Sequence, residues 1–257
     1  MVLAWGALTM SERSRTAGSV PEPPWRADAR AHAVPRVPLT REAVVDAAMH
    51  VLDREGVDAL SMRRVAEELG TGAASLYGHV RNKEALLQLL LERFTDDIVL
   101  PEPDPAHWQS QLRELAGQIR ARMHRHRDIA RISLGRVPSG QAIALLNEWL
   151  FELLRPVGIP GRAIAYFGDL VSLYVGAFAY EESLPPGSPT GEDLSPDEIV
   201  ALFKDYFRSL PEDRFPNTRR TVDLLFSGDR DGRFEFGLDV MLRGLATYAE
   251  PGASSER

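Results

Sequence analysis

Cysteine is absent from the 257 residues. That excludes a disulfide framework, a thiolate zinc site, an iron–sulfur cluster and a cysteine nucleophile, and it points to a reducing, cytoplasmic address. No run approaches the roughly 18 consecutive apolar residues that would span a bilayer, so no membrane partner is expected. The apolar opening Met1 to Thr9 has no basic region ahead of it and runs into a polar stretch, which argues against a secretory signal and leaves Met10 as an alternative start. Strand-like alternation of useful length is missing, as are internal repeats, a phosphate loop and any nucleophile–base arrangement. His124 and His126 resemble a metal pair, but residues two apart point to opposite sides of a helix, so no metal or other cofactor is expected. With Arg120, Arg122, Arg125 and Arg127 they read instead as a solvated basic face.

What remains is an ordinary globular composition, 44% apolar, 26% charged and 8% aromatic. The net charge of −7 divides into +2 over residues 1–38, −4 over 39–100 and −5 over the remainder. Overall acidity argues against indiscriminate coating of nucleic acid, because non-specific affinity comes mostly from neutralising phosphates. Any contact with DNA must rest on a local cluster.

The chain is read in four parts. Residues 1–38, with five prolines, scattered arginines and no apolar periodicity, are expected to be a disordered tail. Over 39–100, a first helix runs from the cap Thr40 to Gly56 and a second from Ser61 to Gly70. A third covers Ala73 to His79, and a longer fourth follows Asn82 with Leu86, Leu87, Leu90, Leu91 and Phe94 on one face. Two short helices hinged at a glycine suggest a helix-turn-helix. Pro101, Pro103 and Pro105 mark a boundary. Residues 101–250 are helical in pattern, with segments over Trp108 to Met123, Ala142 to Leu153, Ile164 to Tyr180, Asp197 to Arg208, Thr218 to Phe226 and Phe234 to Tyr248. Ile164 to Tyr180 is apolar on nearly every side, which predicts burial in a core or an interface. Leu184 to Pro196 reads as a loop, and 251–257 as a frayed tail. The fold class is all-α.

The informative stretch is LSMRRVAEELGTGAASLYGHVRNKEALL, Leu60 to Leu87. A helix that enters the major groove needs small residues where backbone meets base edges, framed by polar and basic groups that hold phosphates. Gly72, Ala73 and Ala74 supply the small surface. Ser75, Tyr77 and His79 offer hydroxyl and imidazole groups, and Arg63, Arg64, Arg81 and Lys83 surround them with positive charge. The unit is acidic in sum but basic along one edge.

The order and spacing of these elements resemble the tetracycline-repressor (TetR) family of bacterial transcriptional regulators. The resemblance runs from about Thr40 to Leu91, and HWQSQLRELAGQIRARMHRHRDIARISLG and FEFGLDVMLRGL extend it through the second half. It implies a helix-turn-helix domain joined by a long fourth helix to an α-helical body that binds a small effector and dimerises. It also implies binding to double-stranded operator DNA as a homodimer. Carried over, the DNA-contacting set is Thr40, Ser61, Arg63, Arg64, Thr71, Gly72, Ala73, Ala74, Ser75, Tyr77, His79 and Lys83. Gly78 and Ala73 replace a large aromatic residue and a base-reading amide of the tetracycline repressor, so a different operator is implied. Ser133 stands where that repressor has a metal-binding histidine, and Leu115 and Ile119 replace polar contacts, which implies a more apolar effector. Trp108, Leu115, Ile119, Ser133, Arg136, Trp149, Tyr174 and Phe178 are the candidate effector residues. Ile164 to Ala179 and Phe234 to Leu245 are candidates for a dimer interface in which Gly168, Gly176, Gly237 and Gly244 permit close helix approach. The expected function is a ligand-responsive repressor. The alternatives are a regulator governed by a protein partner and an α-helical enzyme acting on a small hydrophobic substrate.

Overall fold

The computed structural model describes residues 39–96, 98–136, 139–184 and 194–249. The tails expected at 1–38 and 251–257, and most of the loop expected at 184–196, lie outside the described residues. From Thr40 onward the chain forms one compact unit. Its elements are α1 (Arg41–Glu55), α2 (Met62–Glu68), α3 (Ala73–Leu76), α4 (Lys83–Asp96), α5 (Trp108–Arg125), α6 (Ile129–Ser133), α7 (Gln141–Leu154), α8 (Gly161–Ser183), α9 (Pro196–Ser209), α10 (Pro216–Leu225) and α11 (Arg230–Ala246). No strand occurs among the described residues.

Local chemistry sets the boundaries. The hydroxyls of Thr40 and Ser61 accept from the Ala43 and Arg64 amides, each at 3.1 Å, and the Asn82 side chain accepts from Ala85 at 2.8 Å, so α1, α2 and α4 start on side-chain caps. Gly70 closes α2 at φ +61°. The Thr71 amide donates to Ala66 O at 2.9 Å and the Gly70 amide to Glu67 O at 3.1 Å, a Schellman end that turns the chain into α3. α3 is shorter than expected. It ends at Leu76, whose carbonyl accepts from both His79 and Val80 at 2.9 Å, so Tyr77 to His79 form a turn. α11 starts a turn earlier than Phe234, because Asp229 accepts from the Gly232 amide at 2.6 Å within a stretch that looks like a loop.

The amino-terminal core joins Val44, Ala48, Val51 and Leu52 of α1 to Leu60, Val65, Leu76, Leu86 and Leu90, all essentially inaccessible. The second core gathers Trp108, Leu112, Trp149, Leu153, Ile164, Phe167, Phe178, Phe234 and Leu238. α8 is long and apolar enough, by length and composition, to cross a membrane. Here it packs against α5, α6, α7 and α11. Ile164, Phe167, Val175 and Phe178 are buried, while Tyr166, Leu170 and Leu173 are open to solvent in the single chain. α9 and α10 pack on one another through Phe203, Phe207 and Phe226, and leave Leu202, Tyr206, Leu224 and Leu225 exposed.

Two expectations are corrected. The basic run at the end of α5 is a solvated face only in part: His124, Arg125 and Arg127 are exposed, but Arg120, Arg122 and His126 are not. Arg120 is largely buried, pairs with Glu182 and Asp231, and lies 4.6 Å over the Phe234 ring and 5.2 Å over Phe178. His124 reaches Glu182 at 2.7 Å, His126 reaches Asp53 at 3.1 Å, and Arg122 donates to Phe94 O. Burial raises the Glu182 carboxyl, but hydrogen bonds from Arg120 and His124 outweigh it and hold the group below the usual carboxylate range. Three of the four α8 and α11 glycines serve packing within the chain itself. A Cβ at Gly168 would meet Leu150 at 3.0 Å, one at Gly176 would meet Ser133 at 3.3 Å, and one at Gly237 would collide with the Tyr174 hydroxyl. Gly244 alone of the four faces open space.

Alanine ordinarily improves a helix interior by about 1 kcal/mol over glycine. At Gly237 the added carbon would displace a Tyr174 ring whose hydroxyl donates to Phe234 O at 2.8 Å. Gly237→Ala is therefore expected to lower stability by about 1–3 kcal/mol, an overpacking cost. Gly117→Ala on α5, where a Cβ meets nothing within 4 Å, should be neutral or stabilising. Thermal melts of the two variants check the opposite signs.

Candidate nucleic-acid interface and cavity

α2, α3 and the turns on either side of α3 carry most of the residues singled out for DNA. Gly72, Ala74, Ser75, Tyr77 and His79 are exposed together, and a Cβ at Gly72 would meet nothing within 4 Å. Tyr77, 55% exposed, is the large group on an otherwise flat surface. Arg63 projects into solvent, held only by Glu67 one turn away at 2.9 Å. Arg81 makes no ion pair among the described residues. The Thr40 and Ser61 hydroxyls are engaged as helix caps, with Ser61 exposed beside Arg63.

Arg64 and Lys83 are placed differently. Arg64 is turned inward, where Glu55 accepts from it at 2.6 and 3.0 Å and Glu68 at 2.9 Å, with Arg54 closing the network. Hydrogen bonds from Arg64 and then Arg54 hold the Glu55 carboxyl down at about 2. Arg64 thus ties α1 to α2. The Lys83 ammonium donates to Val57 O at 3.2 Å, which fixes it against the α1–α2 loop.

That loop is gripped from the other side by α6. Asp128 sits in the left-handed region at φ +59°, and its carboxylate accepts from the Val57 amide at 2.9 Å. Arg131 forks onto Asp58 at 2.8 and 3.0 Å. Gly56, at φ +85°, is required here twice over, because a Cβ would lie 2.7 Å from the Asp128 carboxylate.

At its far end α6 enters the wall of a cavity of about 340 Å³. α4 contributes Leu91, Phe94 and Thr95; α5 contributes Leu115, Ile119 and Met123; α7 contributes Leu146 and Asn147; and α8 contributes Gly168, Asp169 and Ser172. Ser133 and Ser139 complete the polar lining. Of the eight effector candidates, Leu115, Ile119 and Ser133 line this space. The other five do not. The Trp149 indole donates to Pro101 O at 2.6 Å, Tyr174 stacks on Phe234 and bonds its backbone, Phe178 packs in the same aromatic cluster, and Trp108 is buried at the start of α5. Arg136 points outward to Glu84 of α4 at 2.7 Å. Asp169 and Ser139, which also line the space, belong to no apolar period and are not found by periodicity. Ser139 accepts from Gln88 at 2.7 Å and lies 3.3 Å from Glu92, so it belongs to both the cavity wall and the surface of α4.

A second, more open apolar groove runs along α8 and the end of α11, lined by Tyr166, Leu170, Met241, Gly244, Leu245 and Tyr248.

Comparison with known proteins gives the same division. Residues 44–90 match the model of bacterial regulatory proteins of the tetR family, and 100–249 match the tetracyclin repressor-like C-terminal domain. The chain is 30% identical to the transcriptional repressor DrrR1 of Streptomyces coeruleorubidus, over 86% of its own length and 82% of that protein. It is 31% identical to the class D tetracycline repressor of Escherichia coli, over 80% and 89% respectively. Among solved structures, ActR of Streptomyces coelicolor in complex with actinorhodin superposes with a TM-score of 0.76 at 39% identity, covering 84% of this chain and all of that one.

Glutamine at position 55 keeps the shape of the Arg64 partner but removes its charge. A depressed carboxyl adds stability above its unfolded pKa, and that stability is lost as pH falls through the folded value. Glu55→Gln is therefore expected to melt below the wild type at pH 7, with the gap closing between pH 4.5 and 2. Melting curves across that range test the sign.

Proposed function

From a chain that belongs to the tetR family of bacterial regulatory proteins, a ligand-responsive DNA-binding repressor and not an enzyme, we propose the following cycle. The protein acts in the cytoplasm as a homodimer on a pseudo-palindromic operator. A small, largely apolar effector in the cavity of α4, α5, α7 and α8 releases it. The α3 surface, with Tyr77, His79 and Ser75, reads the major groove, while Arg63, Arg81 and Lys83 hold flanking phosphates. The small surface at Gly72 and Ala73 favours contact by backbone and methyl groups over a bidentate amide.

The exposed faces of α8 and α11 supply the pairing surface. Tyr166, Leu170 and Leu173 on one helix and Phe236 and Val240 on the other are apolar and open in the single chain, as a self-complementary interface requires. A two-fold pair presents two heads at about 34–36 Å, one turn of B-form DNA, and a small change in that spacing disengages one head.

One observation carries the coupling. α6 has Ser133 in the cavity wall and, a turn away, Asp128 and Arg131 on the α1–α2 loop. Val57 lies between the two parts, its amide held by Asp128 and its carbonyl by Lys83. The segment after α6 adds a second link, through Arg136 to Glu84 and through Ser139 to Gln88, both on α4. An effector that shifts α6 moves the head through these bonds. It must bind the released state better than the DNA-bound one, with couplings of about 1–3 kcal/mol typical of such proteins.

Fluorescence anisotropy with a palindromic fragment from the gene's own promoter tests the reading. Arg63→Ala should weaken binding and lower the slope of log K against log salt by roughly 0.9 for each phosphate that is no longer neutralised. Arg64→Ala should chiefly lower the melting temperature. Sequence-independent binding by the wild type would overturn the proposal. In Asp128→Ala, effector binding should persist while its effect on operator affinity shrinks toward none; undiminished release would remove α6 from the pathway.

A further inference from the structure

The cavity has a chemical bias that its apolar walls conceal. Its polar lining is Thr95, Ser133, Ser139, Asn147, Asp169 and Ser172, and among the described residues no lysine, arginine or histidine lines it. Three of the hydroxyl protons are already committed. Thr95 donates to Glu92 O at 2.8 Å, Ser133 donates to Ala130 O at 2.7 Å, and Ser139 has the Glu92 carboxylate at 3.3 Å. What these oxygens offer a guest is lone pairs. Asp169 stands on the same face of α8 as Ala165 and Ser172, which also line the space, at helical spacings of four and three residues. Exposed in the single chain, it stands where the space opens. Its carboxylate has no hydrogen bond or ion pair among the described residues.

From this we infer that the effector is a hydrophobic amine, bound as a cation with its N–H donors toward Asp169 and the hydroxyl oxygens. The inference rests on the reading of this cavity as the effector site. A carboxylate guest would bring a second negative charge beside Asp169, with no cation to offset either, in a partly enclosed space where water screens less well than in bulk. A neutral guest satisfies the apolar walls but makes no use of the carboxylate, which water alone then solvates. An ammonium group on an apolar body satisfies both, and a two-ring aromatic skeleton fits a space of about 340 Å³.

The test uses the full-length protein and three probes with one skeleton: 2-naphthylethylamine, 2-naphthylethanol and 2-naphthylacetic acid, titrated calorimetrically at pH 7.5. The amine is expected to bind about tenfold more tightly than the alcohol, and the acid more weakly than either. In Asp169→Asn the ratio of amine to alcohol affinity should fall toward one. Ala165→Trp, at an exposed lining position that can fill the space without disturbing the core, should abolish binding of all three. If Ala165→Trp abolishes binding but the acid matches the amine, or Asp169→Asn leaves the ratio unchanged, the charge preference is wrong and the cavity reading stands. If no probe binds, or Ala165→Trp leaves binding intact, the cavity is not the effector site and the inference falls with it.

Discussion

The joint between the amino-terminal helices and the body is built around one backbone residue, Val57. Its amide is held by the carboxylate of Asp128, the residue that precedes α6, and its carbonyl by an ammonium group from α4. The arrangement requires Asp128 to occupy a left-handed conformation, which a non-glycine residue adopts at a cost of order 1 kcal/mol or more. It also requires Gly56 to leave room for that carboxylate. Three separate sequence features, the end of α1, the HRD turn at 126–128 and the start of α4, thus form one joint. Under the proposed cycle, a displacement of α6 is passed to Lys83 through these two directional bonds.

α8 is the other constraint, because one helix must serve three surroundings. Ile164, Phe167, Val175 and Phe178 face the core, Gly168, Asp169 and Ser172 face the cavity, and Tyr166, Leu170 and Leu173 face outward. A helix offers only about 100° of rotation per residue, so the three stripes abut, and the boundary residues are small. Gly168 lets Leu150 of α7 approach, and Gly176 lets Ser133 of α6 approach. The cavity therefore exists because α7 and α6 are held close to α8 at two points while the side chains between them are short.

The head was legible in the sequence almost to the residue, because caps and left-handed glycines are local signals and the apolar periods are strong. Thr40, Ser61, Asn82 and Gly70 each perform the role that their chemistry suggests. α3 was overextended because nothing local announces that Leu76 will accept two turn hydrogen bonds in place of a continued helix. In the body, periodicity located the helices but not their partners. Tyr174, Phe178 and Trp149 have the composition of a ligand pocket, yet the polar atoms of Tyr174 and Trp149 are consumed by backbone carbonyls and Phe178 is packed into the aromatic core. The basic run of α5 reads as a wet surface until Glu182 and Asp231, more than fifty residues away, arrive to pair with it. Long-range pairing is what sequence periodicity cannot supply.

Net charge misleads for the same reason. The segment 39–100 sums to −4, but its acids are largely spent. Glu55 and Glu68 face Arg54 and Arg64, Asp53 faces His126, Asp58 faces Arg131, and Glu84 faces Arg136. The last three are paired with residues of the body. Arg41 and Arg81 make no ion pair among the described residues, and Arg63 has only an exposed one. Charges are felt within about 8 Å at physiological ionic strength, so the edge proposed to meet phosphate is basic even though the whole is acidic. The Asp58 carboxyl lies below its ordinary range because Arg131 bonds it first, and Lys83 also contributes. If α6 withdraws and takes Arg131 with it, Asp58 is left beside Lys83. On the proposed cycle the freed Asp58 carboxylate would then compete with phosphate for Lys83, which would add an electrostatic component to the change in spacing.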